Sequence, residues 1–258
     1  MSALETPAAT AELRDRVAVI TGGAGGIGIA IARRFARAGA RIALADIRAN
    51  AASSAARQLA ELGGTAIGVG CDVSQAAAAD ALVDRVLQEF GRIDILVNNA
   101  GFMGRVAPLW DLADEDWNSV IAVDLTSVFL VTRAVIRPMR EQRRGAVVSV
   151  ASIAGKEGTP QLIPYSVAKA GIIAFTKALG KEVVDDGIRV NCVAPGVVTT
   201  PLLDQLPPES TQAMLNKVPM RRFGTADEVA AVVHFLASDD ASFITAQCFD
   251  ASGGRATY

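Results

Sequence analysis

Short strand-like runs alternate with helix-like runs along almost the whole chain of 258 residues. The strand-like runs are apolar or β-branched, and they span residues 16–21, 40–46, 66–71, 93–99, 146–152, 189–194 and 247–250. Helical periodicity fills the segments between them, as at residues 27–38, 49–62, 75–90 and 116–137. Because strict alternation favours parallel strands with helices on both faces, the sequence predicts an α/β fold with a doubly wound sheet.

The composition is that of one folded domain. Hydrophobic residues make up 51% of the chain and charged residues 20%, which favours a packed core over disorder. No linker or change of composition divides the sequence, so we expect a single domain over residues 1–258, with residues 1–13 flexible.

The net charge, the apolar runs and the cysteines indicate which partners the protein binds and in which compartment it is found. A formal net charge of -2 argues against a nucleic-acid partner, which normally requires a basic face. No apolar run approaches the ~18 residues of a transmembrane helix, and the first residues lack the features of a signal peptide. Cys71, Cys192 and Cys248 are odd in number and far apart, which fits reduced thiols rather than a disulfide frame or a metal site. We therefore expect a cytoplasmic protein without a metal and without a membrane partner.

Two helix-like segments, residues 120–135 and 163–179, are apolar on nearly every face. A helix that buries one stripe against its own core leaves its opposite face polar. Burial against a second subunit is the simplest account of both segments, and a larger intramolecular core is the alternative.

A glycine-rich turn at residues 21–28, TGGAGGIG, joins the first strand to the first helix. Glycines at such a turn let the backbone approach a pyrophosphate and place the anion at a helix N-terminus. Asp46 ends the second strand, where a carboxylate would bind ribose hydroxyls and repel a 2′-phosphate. The pattern predicts NAD rather than NADP, although the nearby guanidinium of Arg48 could tolerate the phosphate. Asp72, after the third strand, either contacts the adenine end or caps the next helix.

Tyr165 and Lys169 stand four residues apart in a helix-like segment. This spacing places a phenol and an ammonium on the same helix face, one turn apart. A phenol is a weak base at neutral pH, and a neighbouring cation favours its phenolate form. The pair therefore predicts an acid/base site, provided that the rest of the chain supplies a reaction for it.

Five motifs in one order make the chain resemble the short-chain dehydrogenase/reductase family. They are T-G-x-x-x-G-x-G at residues 21–28, Asn98-Asn99-Ala100-Gly101, Ser152, the Tyr165/Lys169 pair, and Pro195-Gly196 with Thr200. Together they cover the chain from about residue 14 to residue 254. The resemblance implies a seven-stranded Rossmann-type sheet and hydride transfer between nicotinamide and a carbonyl/alcohol pair.

The resemblance also implies the role of each site residue. Tyr165 exchanges the hydroxyl proton, Lys169 supports it and binds the nicotinamide ribose, and Ser152 holds the substrate oxygen. Asn98 is expected to fix the backbone around the cofactor. The cofactor contacts implied are Gly22, Gly26, Ile27, Gly28, Asp46, Asp72, Val73, Asn99, Tyr165, Lys169, Pro195, Gly196, Val198 and Thr200.

Asp124 is a departure from the family pattern. The family commonly has an asparagine in this helix, which supports a water-mediated proton relay to the lysine. Here a carboxylate lies on an apolar stripe, where an unpaired charge is costly. Our hypothesis is that Asp124 replaces the asparagine as the acceptor of the relay, and the alternative is a structural role or a salt bridge.

Substrate specificity should lie in the loops beyond the strand ends, at residues 102–109, 153–164 and 197–219. The last is rich in proline and is expected to form a mobile lid. Residues 151–158 and the C-terminal tail are similar to those of sugar-acid dehydrogenases, the 2-keto-3-deoxy sugar acid branch. A hydroxylated acid needs donors and a cation, and the candidate groups are Arg105, Lys156, Gln161 and Arg255, the last of which could reach a neighbouring subunit.

Three functions remain open at this point. The first is an NAD-dependent dehydrogenase of a sugar acid or polyol, and the second is a 3-oxoacyl (acyl-carrier-protein) reductase. Asp46 opposes the second, because those reductases usually use NADPH. The third is a nucleotide-binding scaffold with impaired catalysis. The family resemblance also makes a homotetramer the expected assembly, built through the two apolar helices.

Overall fold

The computed structural model describes residues 13–199 and 208–257, and within these residues it has one sheet of seven parallel strands. The strands are β1 Val17–Thr21, β2 Arg41–Asp46, β3 Thr65–Gly70, β4 Ile95–Asn98, β5 Gly145–Val150, β6 Ile188–Pro195 and β7 Cys248–Ala251. Their order in the sheet is β3-β2-β1-β4-β5-β6-β7, and every neighbouring pair is parallel. The predicted fold class and strand order along the chain are confirmed, with strand ends shifted by one or two residues.

Helices cover both faces of the sheet. They are α1 Gly26–Arg37, α2 Ala49–Glu61, α3 Ala76–Phe90, α4 Asp114–Ile121, α5 Ser127–Gln142, α6 Ile153–Glu157, α7 Ile163–Glu182, α8 Pro208–Leu215 and α9 Ala226–Ala237. One core layer joins α1, α2 and α9 to the sheet and includes Phe35 and Leu236. The other joins α3 and α5 and includes Leu82 and Met139. Burial from both sides explains why strands such as β1 read as continuous apolar runs.

The helical run from Asp114 to Gln142 is interrupted by a π turn. The sequence predicted one helix over residues 116–137, whereas the structure has α4, a π segment at Ala122–Thr126, and α5. By length and composition alone this run could cross a membrane, contrary to our expectation, but half of its most apolar stretch is buried within the fold. Val131 and Val135 pack against the sheet, so a core position accounts for the apolar character. The π turn carries Asp124, and π turns are frequent at functional sites.

The predicted motifs lie together at the edge of the sheet that is formed by the carboxyl ends of the strands. The strand order reverses between β1 and β4, since β2 and β3 lie on one side of β1, and β5 to β7 lie beyond β4. In a doubly wound sheet the crevice at this reversal is where ligands bind. The glycine turn follows β1, the asparagine motif follows β4, and Ser152 follows β5. The fold therefore assembles at this crevice residues that are far apart in the sequence.

Candidate active site

The glycine turn after β1 has the form of an anion site. Gly22 has a φ of 59°, and a Cβ on Gly28 would lie 2.3 Å from the carbonyl oxygen of Gly22. Helix α1 begins at Gly26, its N-cap Gly25 provides no side-chain cap, and its first turn has no acidic residue. The first amide groups of α1 are thus left for a ligand, which fits a pyrophosphate.

Thr21 and Asn99 tie this turn to the end of β4. The Thr21 hydroxyl accepts hydrogen bonds from the amides of Asn99, at 3.0 Å, and Ala100, at 3.1 Å. The Asn99 side chain donates to the carbonyl oxygens of Thr21 and Gly22, both at 3.0 Å. These four bonds hold the turn in place, so Asn99 supports the loop that would bind the cofactor.

Asn98 has a different role from the one we expected. Its amide donates to Thr132 Oγ1 at 3.0 Å and to Ser149 Oγ at 3.3 Å, both buried. It therefore links β4 to α5 and β5. The residue that fixes the backbone of the glycine turn is its neighbour Asn99, because successive side chains of a strand point to opposite faces.

Asp46 is held at the end of β2, where the ribose is expected. Its carboxylate accepts from the Ala24 amide at 3.3 Å, and from the Arg48 amide at 3.0 Å and Nε at 3.2 Å. Burial favours the neutral form, but the hydrogen bonds outweigh it and lower the pKa of Asp46. The group is therefore an anion at neutral pH, and its partner Arg48 is engaged in this structure.

The N-cap of α3 is Gln75, without a side-chain cap, so the capping role is wrong for Asp72. The Asp72 Oδ1 accepts from the Ser74 amide at 3.0 Å and from the Ser74 hydroxyl at 2.7 Å, in the turn before α3. The Val73 side chain is buried in the core, so only the backbone of Val73 can face a ligand. Contacts of Asp72 and Val73 with the cofactor stay a prediction, as does the contact of Ile27.

Ser152 is the N-cap of α6. Its Oγ accepts from the Ala154 amide at 3.1 Å, which satisfies one of the free donors at the helix start. A hydroxyl has one hydrogen to donate, and within the described residues no hydrogen bond uses it. The cap thus orients the Oγ and leaves its hydrogen for a substrate oxygen.

Tyr165 and Lys169 lie on α7 at the predicted spacing. The Lys169 ammonium is buried, donates to the carbonyl oxygen of Val150 at 3.2 Å, and lies 5.4 Å from the centre of the Tyr165 ring. Tyr165 itself is half-buried. The pair predicted from the sequence is therefore in contact, at the end of β5 that also carries Ser152.

Asp124 contacts Lys169 directly. Its Oδ2 lies 3.1 Å from Lys169 Nζ, and its Oδ1 accepts from the Phe102 amide at 2.9 Å. The Asp124 Oδ2 has no well-directed hydrogen bond to any described residue, so the contact with Lys169 is an ion pair. Burial raises the pKa of Asp124, and this exceeds the lowering effect of the Lys169 charge and of the Phe102 amide. The structure thus has the salt bridge that was the alternative role of Asp124, and a proton relay through this carboxylate stays a prediction.

Gly101 makes room for this ion pair. A Cβ at Gly101 would lie 2.7 Å from Asp124 Oδ2 and 3.1 Å from Lys169 Nζ. No larger residue fits there without moving one of the two charges. The sequence placed Gly101 in the family motif but gave no reason for it, and its steric role is visible only in the fold.

Two of the expected substrate cations are paired within the chain. Lys156 forms an ion pair with Asp250 at 3.2 Å, and its side chain is only 6% exposed. Arg255 forms one with Glu157 at 3.1 Å. The prediction that these groups bind a substrate carboxylate is therefore not supported by their positions. Arg255 contacts Glu157 of its own chain, and its contact with a neighbouring subunit stays a prediction.

Arg105 and Gln161 lie in two loops that meet. The Ala107 amide donates to the carbonyl oxygen of Gln161 at 3.1 Å, which joins the loop after β4 to the loop before α7. The Arg105 guanidinium contacts Asp116 at 3.3 Å and is half-exposed, and Gln161 is exposed. Both stay candidate substrate ligands.

The loop after β6 packs on the C-terminal residues. The Gly196 amide, next to Pro195, donates to the carbonyl oxygen of Ala251 at 3.1 Å, and Val198 pairs with Gly224 in a short parallel bridge. Their contacts with nicotinamide stay a prediction. Thr200 and residues 201–207 of the proposed lid lie outside the described residues.

Known proteins are similar to this chain over nearly its whole length. Residues 22–256 match the family model described as Enoyl-(Acyl carrier protein) reductase. The 3-oxoacyl-(acyl-carrier-protein) reductase of Chlamydia muridarum is 42% identical over 245 residues, 95% of this chain and 98% of the relative. The chain belongs to the short-chain dehydrogenase/reductase family. The family resemblance is confirmed, and the protein is an oxidoreductase.

Other members of the family are linked to NAD by name. The 2-dehydro-3-deoxy-L-rhamnonate dehydrogenase (NAD(+)) of a Sphingomonas species is 42% identical over 243 residues, 94% of this chain and 96% of the relative. The crystal structure of NAD⁺-bound xylitol dehydrogenase has a TM-score of 0.90 and 35% identity, and covers 94% of this chain and 99% of that chain. Short-chain dehydrogenases/reductases of similar identity thus have different substrates.

Proposed function

We propose that this protein is an NAD-dependent dehydrogenase of a polyhydroxylated secondary alcohol, a polyol or a sugar acid. The observation that carries the proposal is the cluster of Ser152, Tyr165 and Lys169 at the crevice beside the uncapped start of α1. The cluster provides a hydroxyl donor, a phenol and an ammonium, and the glycine turn provides the anion site.

The chemistry follows from what each side chain can donate or accept. NAD, when bound, supplies the acceptor for the hydride that leaves the carbinol carbon. Tyr165, as phenolate, takes the hydroxyl proton, and Lys169 stabilises the phenolate by its charge. Ser152 donates its free hydrogen to the substrate oxygen and holds it beside the phenol. Asp124 holds Lys169 in place through their ion pair, and its carboxylate can accept a proton that leaves the site.

The preference for NAD rests on Asp46. Its anionic carboxylate lies at the end of β2, and a 2′-phosphate placed beside it would be repelled. Arg48 forms an ion pair with Asp46 through its Nε at 3.2 Å, so part of its charge is already compensated by that carboxylate. The NAD-linked relatives agree with this preference.

The substrate class is supported by two relatives, one named for a sugar acid and one for the polyol xylitol. The three cations expected to hold a carboxylate, Lys156, Arg255 and Arg105, are all engaged in ion pairs. A neutral polyol does not require such a cation, and Gln161 can donate hydrogen bonds to its hydroxyl groups. The internal pairing therefore favours the polyol within this class.

A 3-oxoacyl (acyl-carrier-protein) reductase is the second candidate. It is supported by the Chlamydia muridarum relative, which is as similar to this chain as the Sphingomonas dehydrogenase is. The buried carboxylate of Asp46 opposes it, because it disfavours NADPH. A non-catalytic nucleotide-binding scaffold has no support from the site, where the three catalytic side chains are present.

A substrate panel separates these functions. Reduction of NAD⁺ is measured at alkaline pH with polyols, sugar acids and hydroxyacyl thioesters, and each is repeated with NADP⁺. We expect NAD-linked turnover of a polyol or sugar acid, and a loss of roughly a hundredfold or more in Tyr165→Phe with cofactor binding retained. Faster NADP-linked turnover of the thioester would establish the reductase, and cofactor binding without any turnover would establish the scaffold.

We further propose a cytoplasmic homotetramer. Phe129 on α5 and Val167 on α7 are each more than 40% exposed, on the two helices that the sequence marked as apolar on several faces. Burial of these side chains against a second copy would remove apolar surface from water. Light scattering of the wild-type protein and of Phe129→Glu/Val167→Glu tests the assembly, which we expect to dissociate in the variant.

A further inference from the structure

Helix α6 contacts the helix that carries the catalytic pair. It has only five residues, begins directly after Ser152, and lies with Gly155 against α7. A Cβ at Gly155 would lie 2.5 Å from the carbonyl carbon of Lys169 and 2.6 Å from the amide nitrogen of Ala170. Because Ser152 is the N-cap of α6, any shift of this short helix moves the serine hydroxyl relative to Lys169.

Two ion pairs hold the other end of α6. Lys156 pairs with Asp250 at 3.2 Å, and Glu157 accepts from Arg255 Nε at 3.2 Å and Nη2 at 3.1 Å. The Glu157 and Arg255 side chains are 28% and 17% exposed, so water screens their pair only in part. Both pairs join the end of α6 to β7 and the residues that follow it.

Hydrogen bonds shape the chain segment that carries these charges. The Asp250 carboxylate accepts from the Ser252 amide at 3.0 Å and from the Ser252 hydroxyl, and that hydroxyl accepts from the Ala256 amide at 3.0 Å. The same segment accepts a hydrogen bond from Gly196 through the carbonyl oxygen of Ala251. The segment is thus in contact with α6 on one side and with the loop after β6 on the other.

We propose that Lys156, Glu157, Asp250 and Arg255 are positioning residues that hold Ser152 in place for catalysis. Together they form a C-terminal clamp: two charges at the end of α6 and two from β7 and the tail. This inference rests on the proposed function, in which Ser152 binds the substrate oxygen. It replaces substrate contact as the role of Lys156 and Arg255, since both charges are already neutralised inside the chain.

A charge swap tests the clamp. Glu157→Arg and Arg255→Glu each place like charges opposite one another, and Glu157→Arg/Arg255→Glu restores opposite charges. We expect kcat to fall roughly tenfold in each single variant, because the serine is displaced, and to recover in the double variant. KM for NAD should stay unchanged in all three. The alcohol used is whichever member of the substrate panel wild-type enzyme oxidises fastest.

The matched control is Arg85→Glu, which breaks a surface pair with Glu89 on α3 and should leave kcat unchanged. If Arg255 instead binds substrate, KM for the alcohol rises in Arg255→Glu, stays unchanged in Glu157→Arg, and is not restored by the swap. That result overturns the clamp, and so does unchanged kcat in both single variants.

Hydrogen exchange makes the test independent of the substrate. Amides of residues 152–158 should exchange faster in each single variant and return to wild-type rates in the double variant. Unchanged exchange overturns the clamp even if the panel identifies a substrate. Faster exchange with rescue supports it even if no panel compound is oxidised, which would contradict only the proposed function.

Discussion

The carboxylate of Asp124 lies 3.1 Å from the ammonium of Lys169, and the two residues are 0% and 4% exposed. The cation beside Tyr165 is therefore compensated by a charge inside the protein. The family commonly has a neutral asparagine at the position of Asp124, so this chain differs in the charge of its catalytic centre and not only in a side-chain shape.

Gly101→Ala should disrupt the ion pair. Its Cβ would lie 2.7 Å from Asp124 Oδ2 and 3.1 Å from Lys169 Nζ, so one of the two buried charges must move. We expect kcat to fall roughly ten- to a hundredfold, because Lys169 moves away from Tyr165, while NAD binding changes little. Steady-state kinetics and NADH fluorescence titration measure the two effects. Wild-type kcat in a variant with an unchanged thermal midpoint would contradict the steric role.

Asp124→Asn should change the acid side of the pH–rate profile. Burial raises the pKa of Asp124, so this carboxyl takes up a proton at higher pH than an ordinary aspartate as pH falls. Once protonated it no longer compensates the Lys169 charge, and the wild type then resembles the variant, whose asparagine is neutral at every pH. The ratio of kcat in Asp124→Asn to kcat in the wild type should therefore rise as pH falls.

The control for this variant is Asp94→Asn. Asp94 is also buried and paired, with Arg92 at 2.6 Å, but it precedes β4 at the opposite edge of the sheet. Its loss should change stability without changing the shape of the pH–rate profile. A pH-independent ratio for Asp124→Asn would remove the support for an ionised relay acceptor.

Asp46→Ser should shift cofactor preference toward NADP. The substitution removes the anion that repels a 2′-phosphate and frees the guanidinium of Arg48 to contact it. We expect the ratio of kcat/KM for NADP to that for NAD to rise by at least about tenfold. The matched variant Asp46→Ser/Arg48→Ala separates the two causes, since it should retain the loss of repulsion but lack the new contact. An unchanged ratio in both would show that Asp46 does not select the cofactor.

Glu228→Gln should reduce stability in a pH-dependent manner. Hydrogen bonds from Arg222, and then from the Thr225 amide, lower the pKa of Glu228 from 4.5 to about 2. A carboxyl whose pKa is lower in the folded state stabilises the protein above the unfolded pKa, and this contribution is lost as pH falls toward about 2.

Urea unfolding of the wild type and Glu228→Gln at several pH values measures this contribution. The difference in free energy of unfolding should be largest above pH 4.5 and shrink below it. Arg222→Gln should reduce the same pH dependence, because Arg222 is the main cause of the lowered pKa. A difference that is constant over the whole range would contradict the assignment.

The alternation of strands and helices, the glycine turn, Asp46 and the Tyr165/Lys169 pair could all be read from the chain alone. Each depends on a short segment: a period of two or 3.6 residues, a turn before a helix, or two side chains one helical turn apart. Local patterns of this kind can be recognised in the sequence without knowledge of the folded structure. The predicted strands were therefore correct within one or two residues, and the family was correct.

The partners of the charged groups were decided by the tertiary structure. Arg255 and Glu157 are 98 positions apart, and the ion pair between them exists only because the chain after β7 returns to α6. Likewise Asp124 meets Lys169 because a π turn and a missing Cβ at Gly101 leave space for both. The sequence around a charged residue does not reveal its ion-pair partner. Ion pairing depends on the distance between the two charges and on their burial, and both are set only when the helices and strands pack. The sequence predicted which groups do the chemistry, and the fold determined which charges lie against them.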